Sequence, residues 1–312
     1  MEIKKEEDTT ENAIVDLAAA PNGICFAATQ TGLMKSNDFG ETWSSAFASL
    51  PASESIPVTA VGLSPSFETD ETLFAAIPGG IGRSRDRGEQ WDFAALPRPI
   101  QIISTLAISP DFARDRIFFA GTTDDGVLRS DDGGMTWQAW NFGLLDHNVL
   151  SLALSPGFAL DRTILAGTSS GLFRSANSGK SWQAIELDGG FAEITGLVSA
   201  SNSTLFAIVD ESSLYRSTDS GSTWTNMHAP ATSIQTITTG QDFIVIATDD
   251  LILHSHDQGE SWQAITRHTN SITAAALFGN RRLLLGTATG EFRLVGLSES
   301  GGDPSVQVIS RG

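Results

Sequence analysis

At 312 residues the chain can hold two ordinary domains or one large fold with a single core. Its 40% hydrophobic and 18% charged content is that of a globular protein and excludes a disordered or membrane-embedded class. A net charge of −18 argues against nucleic acid or an anionic membrane surface as partner, because the summed field repels a polyanion.

The first 12 residues, "MEIKKEEDTTEN", read as a flexible charged tail without the apolar stretch of a signal peptide, so a cytoplasmic location is expected. No window reaches the ~18 apolar residues of a membrane helix. From residue 13 to 312 a single domain is expected, built from one repeated unit. The first unit opens near Ile14 with a strand, runs through "GICFAA" and "GLMKS", and reaches the octet "SNDFGETW" at 36–43. Cys25, the one cysteine, sits in that second apolar run, which excludes an internal disulfide and reads as a buried, inert thiol.

The octet returns at 84–91, 130–137, 175–182, 217–224 and 255–262, every 38 to 48 residues. Before each lies a "GLFRS"-like strand, and before that two more short aliphatic runs. Unit four shows the pattern best: "VLSLALS" (strand A), "TILAGT" (B), "GLFRS" (C), then the octet, then "SWQAI" (D). Units two to four carry long A–B connections at 64–72, 109–117 and 155–163, sharing Ser-Pro-x-Phe-x-x-Asp. Each is expected to fold back on its own Phe: Phe67, Phe112 or Phe158. A seventh unit starts at Ile272, has lost its octet, and ends in a weakly written D strand, "SVQVIS". No stretch holds a 3.6-residue period. Seven four-stranded units of this length predict an all-β fold, a seven-bladed β-propeller of antiparallel blades, each blade contiguous in sequence.

The octet falls on the hairpin between strands C and D. Its Asp (Asp38, Asp86, Asp132, Asp219, Asp257) accepts backbone N–H groups of its own turn, its Gly supplies a positive φ, and its Trp packs between sheets. Unit four substitutes Asn177, which keeps the acceptor and loses the charge; a turn tolerates that exchange and a catalytic carboxylate does not. A residue placed alike in six blades occupies six symmetric positions, whereas an active site is one place. The octets are therefore read as scaffold. The same reasoning treats the basic residue before each box, Lys35, Arg83, Arg129, Arg174, Arg216, His254 and, by alignment, Arg293, as an inter-blade or turn-pinning contact rather than an anion-binding ring.

Ser-x-Asp-x-Gly-x-Thr-Trp on a C–D hairpin resembles the Asp-box, or BNR repeat, of sialidases, xyloglucan-cleaving hydrolases, sortilin-type receptors and photosystem II assembly factors. The resemblance covers nearly the whole chain and implies the fold; these families do not share a job. A sialidase would need a Tyr nucleophile, but the one tyrosine, Tyr215, aligns with Phe173 and Leu128 and reads as packing. Xyloglucan-cleaving enzymes of this kind work between two propellers, and sortilin-type ectodomains have more blades. In size and blade number the chain is most similar to the photosystem II assembly factor group. That likeness implies a non-enzymatic, partner-binding style, while the photosystem partner itself is not carried over.

Function is expected where the repeats differ, on the face of the D–A and B–C loops. The third D–A connection, "QAWNFGLLDHN", holds Trp140, the one tryptophan outside a box, with Phe142, Asp146 and His147. B–C loops add acidic pairs at Asp124/Asp125, Asp210/Glu211 and Asp249/Asp250. Two readings stand here: an aromatic anchor of Trp140 and Phe142 on an acidic face suited to a basic or sugar-like partner, or a gap-filling Trp140 among solvated turn acids. His147, His228, His254, His256 and His268 lack metal-ligand spacing, so no metal and no cofactor is expected. The expected function is a non-catalytic protein-binding or assembly scaffold, with a glycan-binding or glycoside-active propeller using the Trp140 face as the alternative.

Overall fold

The computed structural model describes residues 13–50, 55–97, 102–200, 203–227, 233–240, 243–279 and 282–297, and the backbone of 306–309. The tail expected over 1–12 and His228 lie outside the described residues. Seven four-stranded antiparallel sheets follow one another, each with its strands in sequence order. The predicted seven-bladed propeller is the observed fold. The seventh blade supplies its own outer strand, Val306–Ile309, paired with Phe292–Gly296, so no strand is borrowed.

The A strands, Ile14–Ala19, Ala60–Leu63, Ile103–Ile108, Val149–Leu154, Ile194–Ser199, Ile234–Thr239 and Ile272–Phe278, form the inner ring. Each touches the A strands before and after it, and the last touches the first. An inner strand has one edge without a ladder partner, and such backbone groups need another partner when buried. Side chains on the A strands meet that need across the seams. Asp16 accepts from Val61 N at 2.8 Å, Gln235 accepts from Ile272 N at 2.8 Å, and Thr239 donates to Ser199 O at 2.9 Å. Thr273 donates to Ile14 O and so helps close the ring.

Packing runs between blades rather than within one. The described core divides into seven apolar clusters, one at each seam, with the second strand of each blade buried on both faces. Strand B is therefore a continuous apolar run instead of an alternating one. At the closing seam Trp43 stacks on Phe292, with ring centres 4.0 Å apart.

Two sequence expectations are corrected here. The long A–B connections form one-turn helices, Phe67–Asp70, Phe112–Asp115 and Phe158–Asp161, and their Phe rings reach beyond their own loops. They cross the seam and pack edge-on against strand B of the preceding blade: Phe67 on Phe26, Phe112 on Phe74, Phe158 on Phe119. Ser64, Ser109 and Ser155 lock the loops by donating to Asp70, Asp115 and Asp161.

The second correction concerns Arg293. Arg174 pairs with Leu165, three residues before Thr168, but in blade seven the residue three before Thr287 is Leu284, and it pairs with Leu294. One extra residue in the B–C turn shifts strand C by one position, which turns every side chain to the other face. Arg293 thus leaves the basic series. It donates to Asn270 Oδ1 at 2.7 Å in the connection from blade six, where the other blades carry Met34, Gly82, Leu128, Phe173, Tyr215 and Leu253.

Candidate partner-binding face

The boxes are clasps, and the structure shows what they hold. In each, the Ser hydroxyl donates to the Asp or Asn oxygen and accepts the Gly N–H, as in Ser130 to Asp132 at 2.7 Å and Gly134 N to Ser130 at 2.8 Å. Asn177 serves like the aspartates, but its amide donates to Ser181 Oγ where Asp132 accepts from Thr136. The residue before the Gly also has a positive φ, including Phe39, Arg87, Ser178, Ser220 and Gln258. That conformation aims its N–H at the A–B loop of its own blade, as in Ser178 N to Arg162 O at 2.8 Å. Its carbonyl faces the preceding blade and accepts from the basic residue there. Arg83 reaches Gly133, Arg129 reaches Ser178, Arg174 reaches Ser220 and Arg216 reaches Gln258, all at 2.8–3.0 Å. Lys35 pairs instead with Glu89 of blade two.

Electrostatics agree with a structural role for the box. Burial is the largest single influence on Asp132 and pushes its carboxyl up, yet bonds from Thr136, Ser130 and Met135 together hold it at about 2. Asp38, Asp86 and Asp219 are lowered by the same balance, and Asp257 is held well below the usual carboxylate range chiefly by Ser261. Burial pushes the Cys25 thiol up to about 12, in line with an inert buried group. Tyr215 is buried in the seam between blades four and five.

On the opposite face, the 140–148 connection is tied down at several points. Asn141 accepts from Val127 N at 2.8 Å and donates to Asp125 O at 2.7 Å. Leu144 is buried, and Gly143, at φ +83, lies where a Cβ would come within 2.3 Å of Trp182 O. Asp146 accepts from Asn148 N, Ser169 Oγ and Ser170 N, each at 2.9 Å. Burial alone would raise the Asp146 carboxyl, and these bonds lower it.

Trp140 and Phe142 part company on this loop. The Trp140 ring lies 4.0 Å from the Arg129 guanidinium and beside the box glycine Gly179, in the seam between blades three and four. Its carbonyl accepts from Trp182 Nε1 at 2.7 Å, as that of Ala46 accepts from Trp91 at 3.0 Å. Trp140 therefore occupies the place beside the next box glycine that Ala46 takes in blade one and Met227 in blade five. Phe142 is 79% exposed and Leu145 84% exposed on the same connection. The next connection adds Phe191, 62% exposed, near Gly171. Leu145 and Phe191 were not singled out from the sequence; apolar residues in otherwise polar D–A loops were the available signal.

The acidic candidates are spread over several blades. His147 and Asp124 are exposed, and His147 O accepts from Gly126 N. Asp210 accepts from Glu193 N at 3.1 Å, and Glu211 O accepts from Ile234 N. Asp249 accepts from Gln235 at 3.2 Å, and Asp250 pairs with Arg267 at 2.8 Å. Asp125 donates its N–H to Thr122 Oγ1 at 2.9 Å. Asp124, Asp125, Asp146 and His147 thus gather at blades three and four, while Asp210/Glu211 and Asp249/Asp250 belong to blades five and six.

Comparison with known proteins fits this geometry. The BNR/Asp-box repeat family matches residues 128–139, the blade-three hairpin, and the DUF6242 beta propeller domain family matches residues 160–281. The chain is a seven-bladed propeller with Asp-box hairpins in six blades. No curated protein matches its sequence. Among solved structures, this Asp-box propeller is similar to YCF48 bound to D1 peptide, with TM-score 0.71 and 16% identity over 93% of this chain and 95% of that one. YCF48 from Cyanidioschyzon merolae gives TM-score 0.67 at 14% identity, over 94% and 97% of the two chains. The extracellular domain of the putative one component system BT4673 from B. thetaiotaomicron gives TM-score 0.70 at 16% identity, over 91% of this chain and 38% of that one. At these identities the likeness is one of fold.

Proposed function

We propose that this Asp-box propeller is a non-catalytic scaffold that binds a protein partner on its D–A/B–C face, centred on blade four. The observation that carries the reading is the 140–148 connection, which is pinned by Asn141, Leu144 and Asp146 yet turns Phe142 and Leu145 outward. A rigid loop presents apolar side chains at little entropic cost on binding, the property of an anchor. Exposed carboxylates at Asp124, Asp210, Glu211 and Asp249 stand on the same face at blades three, five and six, so the partner segment is apolar with flanking positive charge. YCF48, of similar fold, is a propeller with a peptide bound. For the glycan alternative, Trp140 is a poor platform, since Arg129 covers its ring. The described inner strands carry one carboxylate, Asp16, whose oxygens accept from Leu17 N and Val61 N, whereas glycoside cleavage needs a carboxylate pair.

The test is affinity capture from the native host, comparing the chain with Phe142→Ser/Leu145→Ser. A partner lost by the double variant, with the melting temperature unchanged, supports the reading. Equal recovery by both proteins, or capture of polysaccharide only, overturns it.

A further inference from the structure

The basic clasp residues of blades one, three, four and five each have a side-chain partner. Lys35 pairs with Glu89, Arg129 with Asp131 and Arg216 with Glu260, while Arg174 bonds both Ser220 O and Thr163 Oγ1. Arg83 is the exception. It gives Nη1 to Gly133 O at 3.0 Å, and its buried Nε–H has no partner among the described residues. Two repeat positions supply the counter-ion elsewhere. The position of Asp131 is Arg85 in blade two, and the position of Glu89 and Glu260 is Met135 in blade three. Arg83, 8% exposed, therefore keeps its charge in a seam that has lost both acids.

The other nearby carboxylates are committed. Asp92 pairs with Arg85 at 2.9 Å, and Asp86 and Asp132 are filled by the donors of their own boxes. Burial, followed by repulsion from Arg85, disfavours the charged form of Arg83. A guanidinium held out of water without a full set of acceptors is costly. Beside it lies a cavity of about 300 Å³ lined by Arg83, Arg85, Asp86, Gln90, Trp91 and Asp92. Residues 83–116 hold six Arg against five Asp and Glu, in a chain whose net charge is −18.

We propose that this cavity, on the outer part of blade two where Arg83 turns toward blade three, binds a carboxylate that takes the place of the missing repeat acid against Arg83, with Trp91 lining it from the blade-one side. The planar guanidinium matches a carboxylate in two-point contact. The carboxylate belongs either to a small organic acid or to an acidic peptide side chain.

The test follows the melting temperature and isothermal titration heats of the full chain with sodium benzoate, with an acetyl-Gly-Glu-Gly-amide peptide, and with sodium chloride and inorganic phosphate at matched ionic strength. Met135→Glu supplies the acid that Glu89 and Glu260 provide in their own boxes and leaves Arg83 in its clasp. The expected result is a rise in melting temperature with a carboxylate probe and not with chloride. Met135→Glu should melt higher than the parent without ligand and bind the same probe at least about tenfold more weakly, equivalent to about 1.4 kcal/mol. The tighter of the two carboxylate probes identifies the source. Equal effects from chloride, tighter binding of phosphate than of either carboxylate, or unchanged probe affinity in Met135→Glu would each overturn the proposal.

Discussion

Arg174 donates from Nε to the carbonyl of Ser220 at 2.8 Å, across the seam between blades four and five and 46 residues along the chain. Its Nη2 also meets Thr163 Oγ1 at 3.3 Å. Arg174→Ala should lower stability by about 1.5–3 kcal/mol, the usual worth of a hydrogen bond to a charged group. Arg174→Lys should recover only part of that, because an ammonium cannot serve both acceptors from one fixed fork. Urea denaturation measures both; an unchanged midpoint in Arg174→Ala would remove the clasp from the stability argument.

Trp140→Ala should lower stability by about 2 kcal/mol, through the lost contact with Arg129 and the gap left beside Gly179. Partner capture should persist. Lost capture with an unchanged melting temperature would instead make Trp140 the anchor.

Phe158, fully buried, meets Phe119 edge-on with ring centres 5.9 Å apart. Phe158→Ala should cost about 3–5 kcal/mol, because the seam cannot close over the void. Phe142→Ala, at an exposed site, should stay within about 0.5 kcal/mol of the parent. Equal losses in the two variants would contradict the assigned packing.

The box carboxylates set the response to acid. Asp132 falls from the ordinary 3.8 to about 2 in the folded protein, so its contribution is complete above pH 3.8 and is lost as pH falls through 2. The group is exposed, so the effect per box is small and weakens with salt. Asp132→Asn, which copies Asn177, should flatten that part of the stability profile without unfolding the chain. A profile as steep as the parent's would show that other groups govern acid unfolding.

Asp16 should act in the opposite sense. Burial raises its carboxyl to about 6, against bonds from Val61 and Leu17 N–H that lower it. The folded state then takes up a proton between about 6 and 3.8 that the unfolded chain does not, so this group favours folding more as pH falls through that window. A carbon-13 carboxyl titration by NMR should place the Asp16 midpoint near 6, and Asp16→Ala should remove the corresponding slope. An Asp16 midpoint near 3.8 would dismiss the effect.

Much of this was legible in the residues themselves. The octet, written six times, names the C–D hairpin of six blades and marks its Asp as a turn acceptor, because Ser, Asp, Gly and Trp bond within eight neighbouring residues. Local chemistry of that kind needs no knowledge of the rest of the chain. The acids of the D–A and B–C loops could likewise be located, though not what they hold: Asp146 accepts from Ser169 and Ser170 of the next B–C turn, and Asp249 from Gln235 on the inner strand of its own blade.

What only the tertiary structure decided lies at the seams, where contacts join residues about one blade apart and depend on how two sheets face each other. Phe67, Phe112 and Phe158 could each stay on their own loop or reach the preceding blade, and close packing chose the blade. Trp140 left the open face because its backbone position points into the seam toward Gly179. Arg293 left the basic series because one added turn residue reversed its face, an effect of register that a motif alignment does not register. The sequence by itself determined the blade and its clasp, whose bonds are local; the partners of Arg83, Trp140 and Arg293 were decided by the pleat and packing of adjoining blades.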